Sequence, residues 1–165
     1  MKTKLLLALA LLAIAGGPAA AEIKKHPTAK VEIDVPNGWK MGSPKNEPDI
    51  MTVMDPAGEV SFLFIVTDAK ELANVVAELD KRLAKTVTDI KWSSAKPTAD
   101  KLNGMDVLVN NGAGKASGKD VNISIVLVHT PADKVLMVVV FVDPAKYPAH
   151  KAEIQKLIGS IKPST

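Results

Sequence analysis

The chain has 165 residues, 21 basic against 18 acidic, and no cysteine. Without cysteine it can hold no disulfide, thiol nucleophile, thiolate metal site or acylated lipoprotein anchor. Only 4% of residues are aromatic and Arg82 is the single arginine, which sets nucleic acid aside, since that partner calls for a basic patch and stacking rings.

Lys2 and Lys4 precede an unbroken apolar run of 11 residues, Leu5 to Ala15. Gly16, Gly17 and Pro18 then break any helix, and Ala19-Ala20-Ala21 supplies small residues. That order is a secretory leader, with cleavage expected before Glu22. The run is too short to span a bilayer, which needs about 20 residues. The expected organisation is therefore a leader over 1–21 and one domain over 22–165, periplasmic or secreted, with no membrane span and no lipid anchor. Two basic residues leave with the leader, so 19 basic face 18 acidic in the remaining 144 residues. That length suffices for an ordinary core.

Glu22 to Thr28 reads as a loose polar start. Val31, Ile33 and Val35 alternate with charges, the period of a half-buried strand. Pro36-Asn37-Gly38 turns the chain, and Trp39 is expected in the core. Lys40 to Asp49 reads as a surface loop, Ile50 to Met54 as a strand, and Asp55 to Gly58 as a turn. Glu59 to Thr67 is apolar on both faces, which predicts a central strand. Asp68 and Glu71 form a capping box for a helix ending near Thr86, with Leu72, Val76, Leu79 and Leu83 as its stripe. Ile90 to Lys101 predicts an irregular strand broken at Pro97. Asn103-Gly104 predicts a tight hairpin before Met105, Val107 and Val109. Asn110 to Asp120 reads as a glycine-rich connection, and Val121 to Thr130 as a strand. Val135 to Val142, VLMVVVFV, must be a covered central strand. A last helix starts after Asp143-Pro144, carries Ile154, Leu157, Ile158 and Ile161, and stops at Pro163. The sum is an α+β fold, an antiparallel sheet of about seven strands sandwiched between helices.

Chemistry is harder to place. GAGKASGK, Gly112 to Lys119, lacks the first glycine of a phosphate loop, since Ala113 stands there, and a strand follows where a helix is required. His26, His129 and His150 show no ligand spacing and read as surface histidines. No activated serine motif is present. The turn aspartates do structural work. No cofactor is expected.

Val35-Pro36-Asn37-Gly38-Trp39 resembles the P-x-G-W element of PsbP-like domains. Leu102-Asn103-Gly104 before a hairpin, Val135 to Val142, and the closing Ile158-Gly159-Ser160-Ile161 match by position. That superfamily includes the photosystem II PsbP subunit, DcrB-like envelope proteins and a yeast Ran-binding factor. The resemblance implies an α/β/α sandwich and an accessory or binding role, with no catalytic residues to carry over. The expected function is a non-enzymatic, protein-binding accessory module of the cell envelope, whose partner is another envelope protein. The contact loops expected are Lys45, Asn46, Glu47 and Asp49 on one side, and Asn111, Lys115 and Lys119 on the other. The alternative is a small-ligand binder or hydrolase with a pocket between sheet and helix, lined by methionines such as Met105 and Met137.

Overall fold

A computed structural model describes residues 21–43, 47 and 49–164. Residues 1–20 of the expected leader, and Lys45 and Asn46 of the first contact loop, lie outside the described residues. The elements run β1 (Glu22–His26), β2 (Val31–Val35), β3 (Lys40–Gly42), β4 (Ile50–Met54), β5 (Val60–Asp68), α1 (Leu72–Thr86), β6 (Val87–Trp92), β7 (Thr98–Leu102), β8 (Met105–Ala116), β9 (Lys119–His129), β10 (Lys134–Val142), α2 (Tyr147–Gly159) and β11 (Lys162–Pro163). Among the described residues, eight strands form an antiparallel sheet ordered β3-β4-β5-β10-β9-β8-β6, with β7 also on β8. A second sheet is ordered β1-β2-β11.

The central position of β10 follows from its composition. Leu136, Val138, Val140 and Val142 enter one core, and Met137 and Val139 enter the other. The first core lies under α2 and the small sheet, which contribute Leu157, Val31, Ile33 and Val35, with Ile161 from the link between α2 and β11. The second lies under α1, through Leu79 and Leu83. Each of these side chains, fully buried, contributes roughly 1.5–3 kcal/mol. The sheet is thus sandwiched as expected, but three strands share one covering layer with α2. Trp39 packs on Phe62 at 5.9 Å between ring centroids, and Phe62 stacks on Phe64 at 6.0 Å.

Four expectations are corrected. The polar start, 22–28, is largely the strand β1, paired along its length with β2. Only its last residue, His26, is buried, so no alternation marks it, and His26 is no surface histidine. Lys40–Gly42 within the first loop pairs with β4. Asp68 caps nothing: β10 places Lys134 opposite it in register, and its carboxylate takes that ammonium. A 3-10 turn, Ala69–Glu71, precedes α1 instead, and Glu71 accepts from Asn74 Nδ2 at 2.9 Å. Finally, the glycine-rich connection is strand. β8 runs to Ala116 and β9 resumes at Lys119, joined by Ser117-Gly118 with φ of +50° and +79°, the positive pair a two-residue hairpin turn needs.

The Asn103-Gly104 hairpin does a second job. Asn103 Nδ2 donates to the carbonyls of Gly159 and Ile161, each at 2.8 Å, so the turn holds the end of α2. Asn103→Ala should cost about 1–3 kcal/mol, from two lost hydrogen bonds and a positive φ that alanine tolerates poorly. Asn103→Gly restores the φ alone. A urea titration in which both variants match the parent would remove this role.

Candidate functional site

The expected contact residues that the structure describes form two separate groups. Glu47 and Asp49 precede β4, whereas Asn111 and Lys115 lie on β8 and Lys119 opens β9. Three strands, β5, β10 and β9, stand between β4 and β8, a separation of about 19 Å at the usual strand spacing. Within the second group, Asn111 and Lys115 share the face that α2 covers elsewhere, while Lys119 pairs with Ala116 on the α1 face.

A more concrete feature surrounds α1. The helix leaves β5 at Asp68, level with the start of β8, and delivers the chain to β6 beside Ala116, at the end of β8. It therefore crosses the sheet on a diagonal and leaves apolar floor bare on both flanks. On one flank Ile50, Leu63, Ile65, Val75 and Leu79 line a groove of about 440 Å3. Glu47, Glu78 and Arg82 also line it, so two carboxylates face one cation there. Arg82 Nε donates to Glu78 Oε1 at 3.3 Å. On the other flank Leu72, Leu108, Leu127 and Val135 line a groove of about 370 Å3, and Leu108 is 42% exposed.

A pocket between sheet and helix thus exists, but the methionines expected to line it do not. Met137 is wholly buried in the α1 core, and Met105 is buried in the opposite one. They fill cores because an unbranched thioether fits irregular gaps. The sequence signal for the grooves was the Val75-Val76 pair, which widens the α1 stripe beyond what the sheet covers.

The charged side chains gather elsewhere. Glu59 accepts from Lys146 Nζ at 2.7 Å and lies 3.0 Å from His150 Nε2, while His150 Nδ1 lies 3.1 Å from Glu153. Glu59, then Glu153, raises the His150 pKa, and Lys146, then His150, holds the Glu59 carboxyl low. This cluster ties α2 to the strand end. Burial pushes His26 down, partly opposed by Asp49. The two histidines have opposite consequences. His150 pairing stabilises fully below the ordinary 6.5 and fades as pH rises through its raised value. His26, neutral in its pocket, costs stability as pH falls from 6.5. Tm against pH should decline on both sides of this region. His150→Gln should flatten the alkaline side and His26→Gln the acid side; unchanged limbs would refute the assignment. Among the described residues, no three His, Asp or Glu side chains gather as a metal would need. No described helix is long and apolar enough to cross a membrane.

No family model and no curated protein matches the sequence. Solved structures do. Cyanobacterial PsbP (CyanoP) from Synechocystis sp. PCC 6803 superposes with a TM-score of 0.63 at 11% identity, over 89% of this chain and 94% of that one. The chain has a PsbP-like fold. LpqN, involved in cell envelope biogenesis of Mycobacterium tuberculosis, shares it with a TM-score of 0.59 at 14% identity, over 92% and 88% of the two chains. A Bacteroides thetaiotaomicron VPI-5482 structure gives 0.56 at 10% identity, and this chain spans half its length. In the PsbP-like frame, Trp39 and Asn103 serve the fold: one packs on Phe62 and the other holds the end of α2.

Proposed function

We propose that the chain is an exported, non-enzymatic accessory module of the cell envelope that binds another envelope protein in the groove between α1 and β4–β5. The observation that carries this reading is the bare apolar floor of Ile50, Leu63, Ile65 and Val75 beside α1, bordered by Glu47, Glu78 and Arg82. Apolar floors with polar rims mark binding surfaces. Because two carboxylates meet one guanidinium there, the segment that fits is apolar and carries a basic residue. The leader expected at 1–21 and the shared fold with LpqN support an envelope setting.

A photo-cross-linker placed at Ile50 or Val75 should yield one envelope protein, and a peptide covering its cross-linked segment should bind the purified chain. Val75→Arg should abolish both while leaving Tm within a few degrees, since Val75 is only half-buried. Adducts that survive Val75→Arg would exclude the groove. The groove's volume also suits a small apolar ligand, whose sites begin near roughly 300 Å3. Native mass spectrometry showing a co-purified lipid, lost in Val75→Arg, would favour that second reading.

A further inference from the structure

The opposite face of the sheet changes character along β8 and β9. Where α2 and the small sheet cover it, the facing residues are Val107, Val109, Val126 and Val128. Beyond that cover the same face carries Asn111 opposite Ser124 and Ala113 opposite Asn122. Lys91 of β6 pairs beside Ala113, and Ser93 follows on the edge. Together with Tyr147 at the start of α2, these side chains line an open groove of about 520 Å3.

An ordinary solvated sheet face is rich in threonine. Asparagine is among the residues most depleted in strands, yet here Asn111 and Asn122 occupy the middle of a long regular hairpin. Residues that break a local rule without a packing reason mark functional sites. The polar groups are also fixed in place. Ser124 Oγ donates to Asn111 Oδ1 at 2.7 Å, which orients the amide and leaves its two N–H donors for a ligand. Ser93 donates to the Asn111 carbonyl from both N–H and Oγ, each at 2.8 Å. Such pre-organisation lowers the cost of binding.

The lining chemistry selects the ligand. No carboxylate lines the groove and Lys91 is its single charge, which suits neither a cation nor a polyanion. Planar amides and hydroxyls both donate and accept, as neighbouring sugar hydroxyls do. Tyr147 offers a ring face for the apolar side of a pyranose, while Trp92, 37% exposed, borders the groove and packs its ring over Gly112 on the other face of the same strands. The groove is open, so a chain can pass along it. We propose that this platform binds a neutral glycan chain. The site lies on the opposite face from the α1 grooves and is independent of them.

The chain has two tryptophans, so Trp39→Phe leaves Trp92 as sole reporter. The probes are tetrasaccharides of N-acetylglucosamine, β-glucose, α-glucose and mannose, with the four monosaccharides and tetra-alanine alongside, each to roughly 10 mM, within reach of weak binding. At least one tetrasaccharide should move β8–β9 amide resonances saturably in the unaltered chain, and Trp92 emission, sensed through Gly112 across the strand, should follow the same curve. It should bind at least about tenfold tighter than its monosaccharide. The double variant Asn111→Ala/Asn122→Ala should weaken it about tenfold or more, and Val75→Arg should leave it unchanged. The amide shifts keep the test intact should Trp39→Phe fold poorly. No response to any tetrasaccharide, a response only to tetra-alanine or to monosaccharides, or one that survives the double variant would overturn the proposal.

Discussion

Phe62→Ala should lower the urea midpoint steeply and reduce Tm by on the order of 10 °C. Phe62 is 1% exposed and stands between Trp39 and Phe64, in the layer under α2 and the small sheet. Truncating a buried Phe removes its transfer energy and leaves a cavity, together about 3–5 kcal/mol. Domains of this size hold roughly 5–15 kcal/mol in all, and each kcal/mol moves Tm by about 2–4 °C. The slope of the urea transition should stay constant, since the surface exposed on unfolding hardly changes. Phe62→Leu should lose less, because it leaves a smaller void. A Phe62→Ala chain as stable as the parent would mean that the aromatic cluster does not anchor the small sheet.

Gly114→Val should detach β6. A Cβ at Gly114 would meet Val87 Cγ1 at 2.7 Å and the Thr88 carbonyl at 2.9 Å. Val87 and Thr88 are where α1 hands the chain to β6 and where β6 pairs with β8. A backbone oxygen cannot swing aside, so the strand must move. Overpacking of this kind costs about 1–3 kcal/mol, and here it falls on one edge. Hydrogen exchange should quicken at the β6 amides and leave β5 and β10 unchanged. Gly159→Ala is the control: nothing lies within 4 Å of its Cβ, and alanine is the better helix former. Equal exchange in both variants would show that β6 does not depend on the close approach.

These glycines explain part of what the sequence concealed. Gly112 and Gly114 look like loop composition because their reason, a strand lying against them, comes from residues 20 or more positions earlier. β1 was hidden likewise: EIKKH buries only His26, so pairing leaves no alternation in it. By contrast VLMVVVFV could be read directly, since only a strand with two covered faces tolerates eight apolar residues in a row. Asn103-Gly104 declared its turn through backbone preference alone. The Val75-Val76 pair signalled spare apolar surface on α1, but the outline of the grooves depends on the diagonal that the helix takes. The two expected contact loops lie apart, because strand order, not chain order, sets their distance. The polar switch at Asn111 was in plain view, but without the β8–β9 register its alignment with Asn122 and Ser124 was not.

The three-stranded sheet has a consequence for engineering. β1 and β11 flank β2, and Pro163 pairs opposite Val31, the residue His26 also faces. Glu22 is four residues further along, opposite Val35, so residues 22 and 163 are about 17 Å apart. Six linker residues cover that span. A chain running from residue 22 to 163 is therefore suited to circular permutation, with new termini opened at the Ser117-Gly118 tip. Residues 22 and 163 both sit in the layer remote from α1. A bead or surface gripping the molecule at either of these two residues would turn the α1 side outward, leaving its grooves free to meet whatever approaches.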